Sequence, residues 1–162
     1  MIKKTIIKSG TKVKSWFFNI TSHKFLNLSL DEMEKKLPVE VDFLTGRCLL
    51  HPVEIFNKLK NYNSKKFPHY GADDEFSMRI KKYGFKAMLC PSSIVYLKED
   101  KKNILGHKSI IYKFYNNFFG IKSNANIVNK FNLTFEVVPN YAKITFFLVG
   151  VLKSFYVFLK RI

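Results

Sequence analysis

Apolar and polar residues alternate from Val39 to Leu44 (Val-Glu-Val-Asp-Phe-Leu), the two-residue period of a strand with one buried face, before Thr45-Gly46 interrupts the pattern. Cys48-Leu49-Leu50 resumes it, and His51-Pro52 follows. Proline at a first helical position predicts a helix to about Lys60, with Val53, Phe56 and Leu59 on one face. Asn61 to Tyr70 is predicted as a loop. A second helix starts near Asp73, which can cap it; Asp74 and Glu75 suit its positive first turn, Lys81 and Lys82 its last, and Gly84 its end. Phe85–Cys90 and Ser93–Leu97 predict strands on either side of Pro91. Strand, helix, loop, helix, strand is the order of an α/β unit.

The flanks read differently. Residues 1–30 predict one or two short polar strands or loops with Ser9-Gly10 as a turn, and Asp31–Leu37 is an acidic-then-basic stretch stopped by Pro38. Beyond Lys101 the chain is basic, aromatic and helical, with asparagine-rich joints at 116–117 and 124–132. Ile144 to Leu159 is apolar apart from Lys153 and a few small or polar residues. Such a helix reaches about 24 Å, short of a hydrocarbon core of roughly 30 Å. The expectation is a helix lying at an interface, with Lys143, Lys153, Lys160 and Arg161 toward headgroups, or one packed on a partner domain. A spanning helix ranks third.

The chain has 162 residues, 47 % hydrophobic and 25 % charged, which fits one packed domain and excludes a disordered chain. A net charge of +16 with 17 Phe, 8 Tyr and 1 Trp suggests nucleic acid at first sight. The charge is unevenly spread. Residues 1–30 carry six lysines and no acid, 31–100 carry twelve basic against eleven acidic residues, and 101–162 carry ten against one. Only Arg47, Arg79 and Arg161 are arginine. A lysine excess suits diffuse attraction to anionic lipid or phosphate rather than base-edge readout, and a lysine-biased genome accounts for it equally well. Nucleic acid therefore ranks last among partners.

Cys48 and Cys90 each stand alone in an apolar run, which predicts small buried side chains in a reducing compartment and no metal site. His51 and His69, each next to a proline, read as surface residues. The N-terminus has no continuous apolar segment of the secretory kind.

Residues 41–97 carry the most information. Thr45-Gly46 ends a strand before an apolar run and a helix. Tyr70-Gly71-Ala72-Asp73-Asp74-Glu75 opens the next helix, which contains Arg79; Gly84-Phe85-Lys86 and Pro91-Ser92 follow. This ordered series resembles the C-terminal half of the catalytic domain of family 2 glycosyltransferases, the inverting enzymes of the GT-A fold. The resemblance implies a partial GT-A-like, Rossmann-like sheet with flanking helices, followed by a basic aromatic α-helical tail. Residues 1–100 become the C-terminal half of a catalytic domain, with its core at 39–97, and 101–162 the tail.

The same resemblance implies a role for each matched residue. An inverting transferase needs a general base to take the proton of an acceptor hydroxyl. Asp73 occupies the position of that base, with Glu75 as second choice; Ala72 replaces the family's glutamate. Thr45, Gly46, Tyr70, Gly71, Asp74 and Arg79 fall at substrate-binding positions. Helix rules alone give a plainer account, in which Asp73 caps the helix and Glu75 pairs with Arg79 at i, i+4. A nucleotide-sugar donor and a glycan or lipid-linked acceptor are the implied substrates. A divalent metal, Mg or Mn, is implied for the complete enzyme, but its DxD site is not in this chain, and Leu97 stands where some members carry a histidine after Val-Tyr. The expectation is a glycosyltransferase fragment, incomplete alone: a truncated gene product, one half of a split gene with a separately encoded N-terminal half, or a piece of a longer chain. It would be cytoplasmic and peripheral at the inner face of the membrane. The competing expectation is a non-catalytic protein using the basic tail at a membrane surface or on a partner.

Overall fold

The computed structural model describes residues 5–44, 46–96 and 109–162, so Thr45 and Leu97 lie outside the described residues. Among the described residues it is a mixed α/β structure with two small two-stranded sheets and six α-helices, the last of them apolar. The chain forms two compact units. The first comprises Met1–Ser15, Ile20–Tyr62 and Asp73–Val95, and the second Trp16–Asn19, Asn63–Ala72 and Tyr96–Ile162.

In the first unit, β1 (Thr11–Ser15) and β2 (Ile20–His23) pair antiparallel with a bulge between Val13 and Ser15. Helix α1 (Leu30–Glu34) starts at Ser29, whose hydroxyl accepts from the Glu32 amide while the Glu32 carboxylate accepts from the Ser29 amide. This reciprocal cap explains why the short acidic stretch 31–34 is helical. Strand β3 (Val39–Val41) pairs antiparallel with β4 (Ala87–Leu89), in register Val39–Leu89 and Val41–Ala87. Thr11 exchanges backbone hydrogen bonds with Phe43, tying the β1–β2 hairpin to the chain after β3.

Asp42 reinforces that junction. It accepts from the Val13 amide (2.8 Å) and from Lys12 (3.3 Å) and Lys81. Burial pushes its carboxyl pKa up, but the hydrogen bonds from Lys81 and Val13 and the charges of both lysines outweigh burial and hold it below the ordinary 3.8.

Helices α2 (Val53–Leu59) and α3 (Ala72–Lys82) belong to this unit from Asp73 on, and their facing sides form its core: Ile55, Leu59, Phe76 and Ile80, with Phe56, Tyr62 and Phe85 packed against them. The buried side of α2 is therefore Ile55 and Leu59, spaced i, i+4. Val53, expected on that side, is exposed in the first turn, and Pro52 precedes the helix as its cap. Ser93–Tyr96 is not a strand: β4 finds its partner in β3, and residues 93–96 pair with neither. Ser9-Gly10 is not the turn of the hairpin either; residues 16–19 are. Both cysteines are exposed, contrary to expectation, Cys48 in the turn after Gly46 and Cys90 just beyond β4.

The second unit holds α4 (Ile110–Phe119), α5 (Ile127–Val137) and α6 (Lys143–Leu159), the last entered through a 3₁₀ turn at Asn140–Ala142. Asn126 makes the asparagine-rich joint: its side-chain oxygen caps α5 at Asn129 N, and its amide donates to the carbonyls of Phe119 and Gly120. Phe114 and Phe118 of α4 meet Phe158 of α6 at 5.7 and 5.6 Å between ring centres, and Phe131 of α5 meets Phe147 at 5.8 Å. With its 3₁₀ turn, α6 forms one stretch of 20 residues, Asn140–Leu159, among the described residues the one helix long and apolar enough to cross a membrane. At about 1.5 Å per residue it reaches roughly 30 Å, so length no longer argues against spanning.

Candidate active site

Residues 46 and 73, 27 positions apart in sequence, meet at the start of α3. The Gly46 amide donates to Asp73 Oδ2 at 2.7 Å. One turn along, the Ser77 hydroxyl donates to the Asp73 carbonyl (2.7 Å) and accepts from the Leu44 amide (3.2 Å). The end of the β3 segment is thus stitched to the first two turns of α3 by two amides. A Cβ on Gly46 would lie 3.2 Å from Asp73 Oδ2 and 3.4 Å from Asp73 Cβ, so glycine permits the close approach. Asp73 is the second residue of α3 rather than its cap, and its carboxylate serves the neighbouring loop instead of its own helix.

Asp74 is the most perturbed acid of the site. Burial, then the negative charge of Asp73, raise its pKa to about 7, partly offset by Lys8. A carboxyl that titrates near neutrality beside a second carboxylate is an arrangement suited to proton transfer. It also destabilises the fold in a defined pH window. An acid whose pKa is raised in the folded state loses stability as pH rises from the unfolded value, 3.8, to about 7, and the loss is complete above that. Carried in full, that rise corresponds to about 4 kcal/mol. Asp74 keeps some solvent contact, and screening reduces this to about 2 kcal/mol. Asp74→Asn is therefore expected to raise stability by about 2 kcal/mol at pH 8 and by nothing near pH 3, measured by urea unfolding at both pH values. Equal stability of the two proteins at pH 8 would mean that Asp74 titrates normally.

Glu75 and Arg79 form a closed pair. Arg79 Nε and Nη2 reach the two oxygens of Glu75 at 2.8 and 2.9 Å, and the same guanidinium donates to the carbonyls of Leu59 and Asn61 and lies 4.9 Å from the Phe76 ring centre. Glu75 is buried. The i, i+4 pairing expected from helix rules is present, and it fastens α3 to the end of α2. Tyr70 and Gly71 belong to the second unit, where Gly71 (φ +87°) abuts Phe67, and Tyr70 is exposed beside His69.

His51 is half-buried rather than fully exposed. Its Nε2 lies 3.0 Å from the Tyr62 hydroxyl, its ring packs edge-on against Phe56 and Phe76, and burial lowers its pKa. Burial and the Asp73 charge in turn raise the pKa of Tyr62. The sequence held no local signal for this His–Tyr contact, nor for Lys8 acting on Asp74. Ser77, the residue that receives Leu44, carries a signal only in hindsight, as a serine on the buried side of α3.

No family model, curated protein or solved structure matches the chain. The functional reading therefore rests on the residues themselves. Among those described, no group of three or more His, Cys, Asp or Glu is arranged to hold a metal ion.

Proposed function

We propose that this chain forms the acceptor-side part of an inverting GT-A-type glycosyltransferase acting on a nucleotide-sugar donor and a glycan or lipid-linked acceptor. The observation that carries the reading is the Gly46 amide on the Asp73 carboxylate, since it joins the Thr-Gly element to the acidic element of the resemblance. In this reading Asp73 takes the acceptor hydroxyl proton while the hydroxyl oxygen bonds to the anomeric carbon from the face opposite the leaving group. The bond to the nucleoside diphosphate breaks with its electron pair, and the anomeric configuration inverts. The Gly46 amide fixes the carboxylate at the start of α3. Asp74 lies next to it with a proton to gain or lose near pH 7.

Glu75, the second choice for the base, has both oxygens on Arg79 and is set aside in favour of Asp73. In the complete enzyme of this reading, a DxD-bearing half outside this chain would hold Mg or Mn, which would offset the charge of the departing diphosphate. The same reading has the protein peripheral at the inner face of the cell membrane, consistent with an exposed apolar α6. That exposure equally favours the second reading, a non-catalytic protein of the membrane surface.

The test offers labelled nucleotide sugars to membranes from cells that carry the intact gene and from an otherwise identical deletion strain. A labelled glycan or glycolipid that depends on the gene supports transfer. Identical products from both strains would overturn it in favour of the second reading.

A further inference from the structure

Within the second unit, α6 is held on one side by the turn Trp16–Asn19. Lys153 Nζ donates to the carbonyls of Asn19 (2.7 Å) and Phe18 (3.3 Å), and Asn19 Nδ2 donates to the Phe146 carbonyl (3.2 Å). Trp16 stands 5.7 Å from Phe146 between ring centres. A Cβ on Gly150 would lie 2.9 Å from Asn19 Nδ2, so the turn sits against the middle of the Asn140–Leu159 stretch. Lys153, expected to face headgroups, is instead engaged by this turn.

About 120–160° round the helix from Phe146 runs a ridge with no charge on it: Ile144, Leu148, Leu152 and Leu159. All four are more than half exposed. Lys143 precedes the ridge, and Lys160 and Arg161 follow it. Residues 109–162 contain seven basic residues and one acid, Glu136, which is paired with Lys66.

We propose that the second unit docks on an anionic phospholipid surface with α6 in the plane of the bilayer, its ridge in the acyl boundary and the Trp16–Asn19 turn held on the opposite, water-facing side. This deepens the peripheral location given above and stands apart from sugar transfer. A spanning α6 would carry the turn's backbone and the Lys153 ammonium to the bilayer centre, where neither finds water. A second copy of the chain fits the ridge less well, because two strongly basic surfaces repel. Anionic lipid answers both the apolar ridge and the charge.

The turn contains the only tryptophan, which makes its depth measurable. Full-length protein is mixed with phosphatidylcholine vesicles, with and without phosphatidylglycerol, some carrying bromine deep on the acyl chains. The expected result is salt-sensitive flotation with the anionic vesicles and no quenching of Trp16 by the deep bromines. Leu148→Glu/Leu152→Glu is expected to lower partitioning at least about tenfold with unchanged circular dichroism. Lys160→Gln/Arg161→Gln, which cannot disturb the apolar packing, lowers it about fivefold per charge removed. Deep quenching would establish a spanning helix and overturn the proposal, as would no binding to either vesicle. Self-association abolished by Leu148→Glu/Leu152→Glu, with no vesicle binding, would assign the ridge to a second copy. Loss of gene-dependent transfer with intact vesicle binding would sink only the sugar-transfer reading.

Discussion

With Asp73 as the base of the proposed sugar transfer, Asp73→Asn is expected to lower that transfer by about 10³-fold, the usual effect of removing a positioned general base, and to change the unfolding free energy by less than about 1 kcal/mol. The two halves of this expectation come from one contact. Asparagine still presents an oxygen to the Gly46 amide, so the stitch between the β3 segment and α3 survives, with a neutral acceptor in place of a charged one. The proton-accepting power does not survive. The substitution also removes the charge that, after burial, raises the pKa of Asp74. Any residual transfer should therefore titrate at lower pH than in the parent protein. The measurement is the pH profile of initial rates in Asp73→Asn and Asp74→Asn, with thermal unfolding as control. A fully active Asp73→Asn beside an inactive Asp74→Asn would move the base by one residue. Full activity in both would remove the acidic segment from the chemistry.

How far the sequence foretold this structure depends on where each signal lies. Helix α3 was legible because its cues are local: acids in the first turn, lysines in the last and glycine after it. The strand at Val39 was legible from its alternation, although only Val39–Val41 pairs. The cap that starts α1 is equally local, serine three residues before glutamate, yet the stretch 31–37 was assigned no helix from it. The hairpin turn was misplaced because Trp16-Phe17-Phe18-Asn19 lacks glycine and proline; it turns on Asn19 at φ +49°. The strand expected at 93–97 had β-forming residues, but residues 93–96 join neither sheet, and a strand needs a neighbouring strand as well as propensity.

The site divides in the same way. Gly46 and Asp73 were each named from the pattern, but the amide that joins them is a tertiary contact. The near-neutral Asp74 depends on burial and on Lys8, 66 residues earlier in the sequence, and no window of sequence contains that information. His51 was misread because its partners, Tyr62 and Phe76, are brought to it by the packing of α2 on α3.

Arg79→Ala is expected to destabilise the first unit by about 3 kcal/mol, a large part of the stability of so small a core. Alanine leaves the buried Glu75 carboxylate without its bidentate partner, takes a donor from the Leu59 and Asn61 carbonyls and uncovers the Phe76 face. Lysine restores the charge but not the fork, so Arg79→Lys should recover less than half of the loss. Removing both charges is a different matter. Glu75→Leu/Arg79→Met leaves no buried ion unpaired and should be more stable than Arg79→Ala, which a double-mutant cycle by urea unfolding measures directly. The resemblance puts Arg79 at a substrate position, and the alternative has its own signature. If the guanidinium served substrate rather than fold, Arg79→Ala would unfold at the parent midpoint and raise KM alone. Four hydrogen bonds already directed at one carboxylate and two carbonyls argue for the first outcome: in the proposed reaction Arg79 would act only by holding α3, and with it Asp73, in place against α2.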